Sequence, residues 1–432
     1  MAGSVLAEST LSLPMASRFD RLDIQHGLSQ ATVTALAQDH DGYIWIGTQN
    51  GLNRYDGYNV KVFRPDDSSK QTLADNFVSA LAVDQQGQVW IGTLQGLNRY
   101  NPQQATFTEI ALTPARKDST DAILSLHLDQ QNQLWAGTER GLALWQNQQL
   151  MLWPKQATDA APLLQLSISA IVSDNQQQLW LGTPRGLFCV NIQTGAIISS
   201  QFPFPQASVM ALYFDKDGRL WVGLEHEGLL MRDSTDGIWR HIPLATYDNG
   251  VTSKEIRSIT MDQQGAVWVG TQHGLNQLKL ENGQWQPVAA FYHQRHNPSS
   301  LGSGKVAAIL AGKYNSIWVG TWNGGVSRLH QNNNLFTSIT PDLPLMAKAR
   351  NPATITLASD ADTLWAGTAD GLFALDIANT SLSATGDPQE SLTFYSTQKL
   401  DNRLLFGHTN GIKALDLNSK QYQDLILPDA VP

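Results

Sequence analysis

Between Thr32 and Gln38 apolar and polar side chains alternate, with Val33, Ala35 and Ala37 on one side. That period of two predicts a half-buried strand. Asp39-His40-Asp41-Gly42 follows as a tight turn, because Asp bonds backbone two residues on and Gly supplies positive φ. Tyr43 to Gln49 reads as a second strand carrying Trp45, Gln49-Asn50-Gly51 as a turn, and Leu52 to Tyr55 as a third strand. Asp56-Gly57 is a hairpin signal ahead of a fourth strand, Tyr58 to Phe63. One such sheet has two apolar faces and buries neither alone.

The chain then repeats this unit. Trp45-Ile46-Gly47-Thr48 is echoed at Trp90, Trp135, Trp180, Trp221, Trp268, Trp318 and Trp365, and a degenerate ninth copy puts Leu405 ahead of Phe406-Gly407-His408. The spacings are 45, 45, 45, 41, 47, 50 and 47 residues, then 40 to Leu405. A period of roughly 40–50 residues with one Trp-Gly signature per unit predicts an all-β fold, a β-propeller of four-stranded blades. The Trp is expected to pack between adjacent sheets, and the Gly after it to let backbones approach closely. Arg18 to Leu22 resembles a fourth strand with no blade ahead of it, as a ring uses to close on its last blade. Nine repeats exceed an ordinary ring of four to eight blades. The expected division is an N-terminal tail or signal remnant over 1–17, a seven-bladed propeller over 18–345, and two blades of an incomplete second ring over 346–432. Leu345 to Ala353 would be the passage between the rings, and a single eight- or nine-bladed ring is the alternative.

Composition narrows the function. The 432 residues carry a formal charge of −9, which argues against nucleic acid, a partner that calls for a clustered basic face. A single cysteine, Cys189, excludes an internal disulfide framework and a Cys-based zinc site. No apolar run is long enough to span a membrane as a helix.

The pattern Asp-x-x-Gly-x-Ile/Val-Trp-Ile/Val-Gly-Thr-x-x-Gly-Leu-x-x-Tyr, best seen over Asp39 to Tyr55 and Asp84 to Tyr100, resembles the regulator-propeller repeat of bacterial sensors. The lead-in Phe19-Asp20-Arg21-Leu22 and Gln25-His26-Gly27-Leu28-Ser29-Gln30 resembles the opening of those sensor domains. The resemblance covers about residues 18 to 418. It implies the periplasmic sensing region of a hybrid two-component histidine kinase or a membrane-bound diguanylate cyclase. In that family two seven-bladed rings precede a β-sandwich, a transmembrane helix and an output domain. The expectation is therefore an input module separated from its output, homodimeric in the full receptor and tied to the membrane only through those later parts.

The turn between the second and third strands should face the same side as the blade-to-blade loops. Its residues vary within a constant frame, and they supply the candidate ligand-binding set Asn50, Glu139, Arg140, Arg185, His226, Glu227, His273, Trp322 and Asn323. Planar polar groups with one aromatic suit a small polyhydroxylated solute such as an oligosaccharide. Arg140 and Arg185, on adjacent repeats, are expected to grip an anionic group bidentately. Two other readings stand beside the sensor. His226, Glu227 and His273 would form an acid–base set if neighbouring blades met, resembling streptogramin lyases, and any propeller can serve as a scaffold for protein partners. No metal or cofactor is expected: the Asp-x-Asp-Gly turns lack the downstream bidentate Glu of a calcium loop.

Overall fold

The computed structural model describes residues 11–12, 18–66, 72–113, 121–153, 166–174, 177–245, 253–295, 297–330, 354–359, 363–369, 371–376, 381–385, 392–419 and 421–425. Leu345 to Ala353, read as a passage, lies outside them, as do the middles of four blade-to-blade loops. The chain divides into two compact units.

The larger unit comprises Arg18–His293 and Ser299–Asn333. Among its described residues there are seven sheets, antiparallel except where Leu112–Thr113 runs parallel to Gln149–Leu152 in the third. The first contains Val33–Gln38, Ile44–Thr48, Gly51–Tyr55 and Val60–Phe63, paired in that order. Five more repeat the plan, with first strands Val78–Val83, Ile123–Leu128, Ala170–Ser173, Val209–Phe214 and Ile256–Met261. The seventh holds Val306–Ala311, Ser316–Thr321 and Val326–His330, and its fourth strand is Phe19–Leu22 from the other end of the unit. That strand pairs antiparallel with Val326–His330 and removes a sheet edge.

What joins one sheet to the next is the Trp-x-Gly segment. Trp45 and Leu52 of the first sheet pack on Val78, Val89 and Ile91 of the second. The glycine has no room for a side chain, since a Cβ on Gly47 would lie 2.6 Å from Val78 Cγ1. Gly92 meets Ile123, Gly182 meets Val209, Gly223 meets Ile256 and Gly270 meets Val306 in the same way, at 2.5–2.8 Å. Gly137 meets the Ile168 carbonyl. The series returns to its start: a Cβ on Gly320 would lie 2.5 Å from Val33 Cγ1, and Trp318 shares a core with Val33, Ile44 and Ile46. Each sheet thus packs on the next and the seventh on the first.

Five of the buried indoles also have an aspartate as polar anchor. Trp45 Nε1 donates to Asp39 Oδ2 at 2.8 Å, six residues back, while Asp39 Oδ1 accepts from the Tyr43 amide. Trp90–Asp84, Trp135–Asp129, Trp221–Asp215 and Trp268–Asp262 repeat the bond at 2.8–3.0 Å. In these five sheets the Asp that opens the turn therefore satisfies a donor that burial would otherwise leave unpaired.

The smaller unit contains two sheets among its described residues. One is Thr354–Ser359, Thr363–Thr368, Gly371–Asp376 and Ser381–Thr385, extended by Leu11–Ser12 antiparallel to its last strand. The N-terminal tail thus contributes a strand that its sequence does not announce. The other is Phe394–Leu400, Arg403–His408, Gly411–Asp416 and Tyr422–Leu425. Trp365, Leu372, Phe394, Leu404, Phe406 and Leu415 form their shared core.

Candidate functional site on one face of the seven-sheet unit

The first strands stand side by side and run in the same sense. Thr34 Oγ1 donates to the Val78 carbonyl, Ser79 Oγ to Ile123, Ser125 Oγ to Ile168 (3.1 Å) and Ser169 Oγ to Val209 (2.7 Å). Each bond joins the start of one first strand to the start of the next. The turn between second and third strands is tied to that same end. The amide of Gln49 donates to Thr32 O, Glu139 to Ala122, Glu225 to Ser208, Gln272 to Glu255 and Trp322 to Lys305, at 3.0–3.4 Å. These turns therefore share one face of the unit.

A threonine fixes the presented residue. Thr48 Oγ1 donates to Gly51 O at 2.9 Å and accepts from the Asn50 amide at 3.1 Å. Thr93, Thr138, Thr183 and Thr271 do the same for Gln95, Arg140, Arg185 and His273. The glycine after the presented residue takes a positive φ, 123° at Gly51. In the fifth sheet Leu224 replaces the threonine and the turn is one residue longer, leaving the His226 side chain 79% exposed.

The candidate residues differ in exposure and in the bonds they make. Asn50, Glu139, Arg185, His226, Glu227 and His273 are exposed. Arg140 does not form the expected pair with Arg185: its Nη1 donates to Asp121 Oδ1 at 3.0 Å, and its side chain is only 10% exposed. Its charge is neutralised within its own sheet, which corrects the reading of two free guanidiniums gripping one anion. Asn323 Oδ1 accepts from Thr32 Oγ1 at 2.9 Å and ties the seventh sheet to the first. His226 lies 3.9 Å from Glu225, and the Glu227 carbonyl accepts from His241 Nε2 at 2.9 Å. Among the described residues no hydrogen bond or ion pair joins His226 or Glu227 to His273, nor do three or more metal-ligating side chains converge. Cys189 is buried, and burial pushes its thiol up to about 12, so it is not poised as a nucleophile.

Trp322 is where the structure gathers groups that sequence reasoning missed. Lys305 Nζ sits 3.7 Å from the centre of its ring, and the Arg257 guanidinium 5.6 Å. Glu255 pairs with Arg257, and the Gln272 side-chain amide donates to the same carboxylate. Burial first, and the neighbouring Arg257 charge second, pull the Lys305 ammonium below the usual lysine range. One signal was present in the sequence. Across the seven first strands, Arg257 is the one fully charged residue, at the position held elsewhere by Thr34, Ser79, Leu124, Ser169, Met210 and Ala307.

Comparison with known proteins agrees with this architecture. The family model described as the two component regulator propeller matches residues 27–50, 72–95, 203–226 and 250–273. The curated protein Histidine kinase P4 of Formosa agariphila is 47% identical over 45 residues, which is 10% of this chain and 3% of that protein. The solved extracellular domain of a putative hybrid two component system, BT3049 of B. thetaiotaomicron, aligns over 96% of this chain and 55% of its own length, with a TM-score of 0.72 and 22% identity. A catalytically inactive virginiamycin B lyase from Staphylococcus aureus, solved with quinupristin, aligns over 73% of this chain and 99% of its own, with a TM-score of 0.55 and 13% identity. This chain thus spans about half the length of the extracellular domain it matches. No helix among the described residues is long and apolar enough to cross a membrane. With the matched stretches falling on the lead-in, first strand and second strand of four of the seven sheets, the chain is a β-propeller protein whose repeats are similar to the two component regulator propeller.

Proposed function

We propose that this chain is the ligand-sensing module of an extracytoplasmic bacterial receptor, periplasmic and without catalytic activity, binding a small solute such as an oligosaccharide on the face formed by the second-to-third-strand turns. One observation carries the reading: threonine-locked turns hold Asn50, Arg140, Arg185 and His273 at the same position of an unvarying frame while the side chain itself changes. A constant frame with variable presented groups suits recognition, whereas a reaction calls for a converged acid–base or nucleophile set. The likeness to an extracellular domain of a two component system supports an input role. The mechanism is a population shift, in which bound solute favours one arrangement of two receptor copies and the output domains read it.

A thermal-shift screen of oligosaccharides and small metabolites tests this, because a specific binder raises the midpoint by mass action. The same pool is assayed for turnover. A binder that is recovered unchanged supports the sensor. Product formation that disappears in His273→Ala establishes the lyase reading instead.

A further inference from the structure

We propose that Arg257 and Lys305, gathered against Trp322, form an anion-binding subsite that takes a carboxylate or sulfate group carried by a small solute. The inference deepens the ring-face reading above and rests on it. The acidic balance of the chain makes such a site improbable by chance composition, since 38 acidic residues face 29 basic ones. Here two cations meet one carboxylate: Arg257 is paired with Glu255, and Lys305 has the indole face as its contact.

Three features separate this cluster from an ordinary solvated one. Arg257 projects from the start of a first strand, where the other six sheets place neutral residues. Its side chain is only 20% exposed, and its Nε is buried without a hydrogen-bond partner, so the guanidinium carries donors that the protein does not satisfy. The Lys305 ammonium is partly desolvated and its charge is held by an indole, a weaker compensation than a carboxylate. Placing an anion beside both restores the balance of two positive and two negative groups. The Glu255 carboxylate is held by Arg257 and lies against the Gln272 side-chain amide. The subsite lies across the junction of the sixth and seventh sheets. Its backbone is fixed by the turn bonds Gln272 N to Glu255 O and Trp322 N to Lys305 O.

The test is titration calorimetry of the full chain with sodium galacturonate, inorganic sulfate and galactose, at two salt concentrations. Lys305→Met keeps an apolar stem on Trp322 and removes the charge, and Arg257→Gln removes the other cation. Lys216→Met removes one positive charge from an Asp-Lys-Asp-Gly turn at the far end of the strands and serves as the control. Saturable binding of galacturonate or sulfate is expected, weaker at higher salt. Each subsite variant should lose about tenfold or more in affinity, as for the loss of a charge-assisted hydrogen bond, and the control should lose none. Circular dichroism melts of each variant establish that it is folded, and where Arg257→Gln is not, Lys305→Met decides. Equal losses in the control would reduce the effect to net charge and overturn the proposal. So would full affinity in Lys305→Met, or no anion binding to the unmodified chain at millimolar concentration. Should a neutral oligosaccharide from the screen bind, and depend on Asn50 and His273 but not on these cations, the ring-face reading stands and the anionic subsite falls.

Discussion

The same repeat is used in two settings here. In the seven-sheet unit every Trp-x-Gly glycine faces a neighbouring sheet, and Gly320 is met by Val33 from the first. In the two-sheet unit Gly367 is met by Phe394, but a Cβ on Gly407 would approach only Ser396 of its own sheet. First-strand residues register the difference. At one equivalent position Leu36, Leu81 and Leu126 are half-buried, whereas Leu357 is 58% exposed. The repeat specifies a sheet, and the neighbour determines what is buried. A blade is a unit of folding pattern rather than of stability, as expected where each repeat contacts only the adjacent ones.

Mutations break this comparison in graded steps. Trp268→Ala should cost about 3–5 kcal/mol in urea unfolding, because it empties an inter-sheet core and strips Asp262 of its indole partner. Gly270→Ala, whose new Cβ would crowd Val306 at 2.5 Å, should cost about 1–3 kcal/mol. Gly407→Ala, with no facing sheet among the described residues, should cost less than about 1 kcal/mol. Equal losses for the two glycines would mean that the neighbouring sheet does not set the constraint.

Acid sharpens the contrast. His127 of the third sheet's first strand clasps the fourth sheet, its Nε2 accepting from the Ser173 amide at 3.1 Å and lying 2.7 Å from Ser173 Oγ. The smaller unit has a clasp between its own two first strands, two positions nearer their start, Thr356 Oγ1 to Thr397 Oγ1 at 2.8 Å, which does not titrate. Burial pulls His127 down from 6.5 to about 4, only partly offset by Asp129. The unfolded chain therefore takes the proton first. Stability contributed by the neutral clasp is intact above about 6.5, erodes as pH falls toward 4, and is lost by at most about 3 kcal/mol below that. Melting curves of the chain and of His127→Gln should converge in acid relative to neutral pH. Parallel curves would remove His127 from the account.

Much of this was legible before any coordinates, and for a physical reason. Packing between sheets imposes the same small residue and the same large one on every repeat, so Trp45, Gly47 and their copies announce the fold. Phe19–Leu22 was recognisable because it copies a fourth strand. The indole–Asp bond was missed although its spacing of six residues is equally regular, since turn chemistry already explained the aspartates. The Trp322 cluster was out of reach for a different reason. Arg257 and Lys305 occupy unlike positions in two repeats, and only the packing of the sixth sheet on the seventh brings them to one indole. Arg140 looked free because its partner, Asp121, stands 19 residues away, just ahead of the sheet's first strand.

The claim that the closed unit carries the ligand face is tested most directly by hydrogen exchange on the chain, with and without a solute that raises its melting midpoint. Added protection should fall on the turns that present Asn50, Arg140, Arg185, His273 and Trp322, with the Asp-x-x-Gly turns and both sheets of the smaller unit unchanged. Protection concentrated on the Asp-x-x-Gly turns, or on Thr354–Ser359 and Phe394–Leu400, would contradict it.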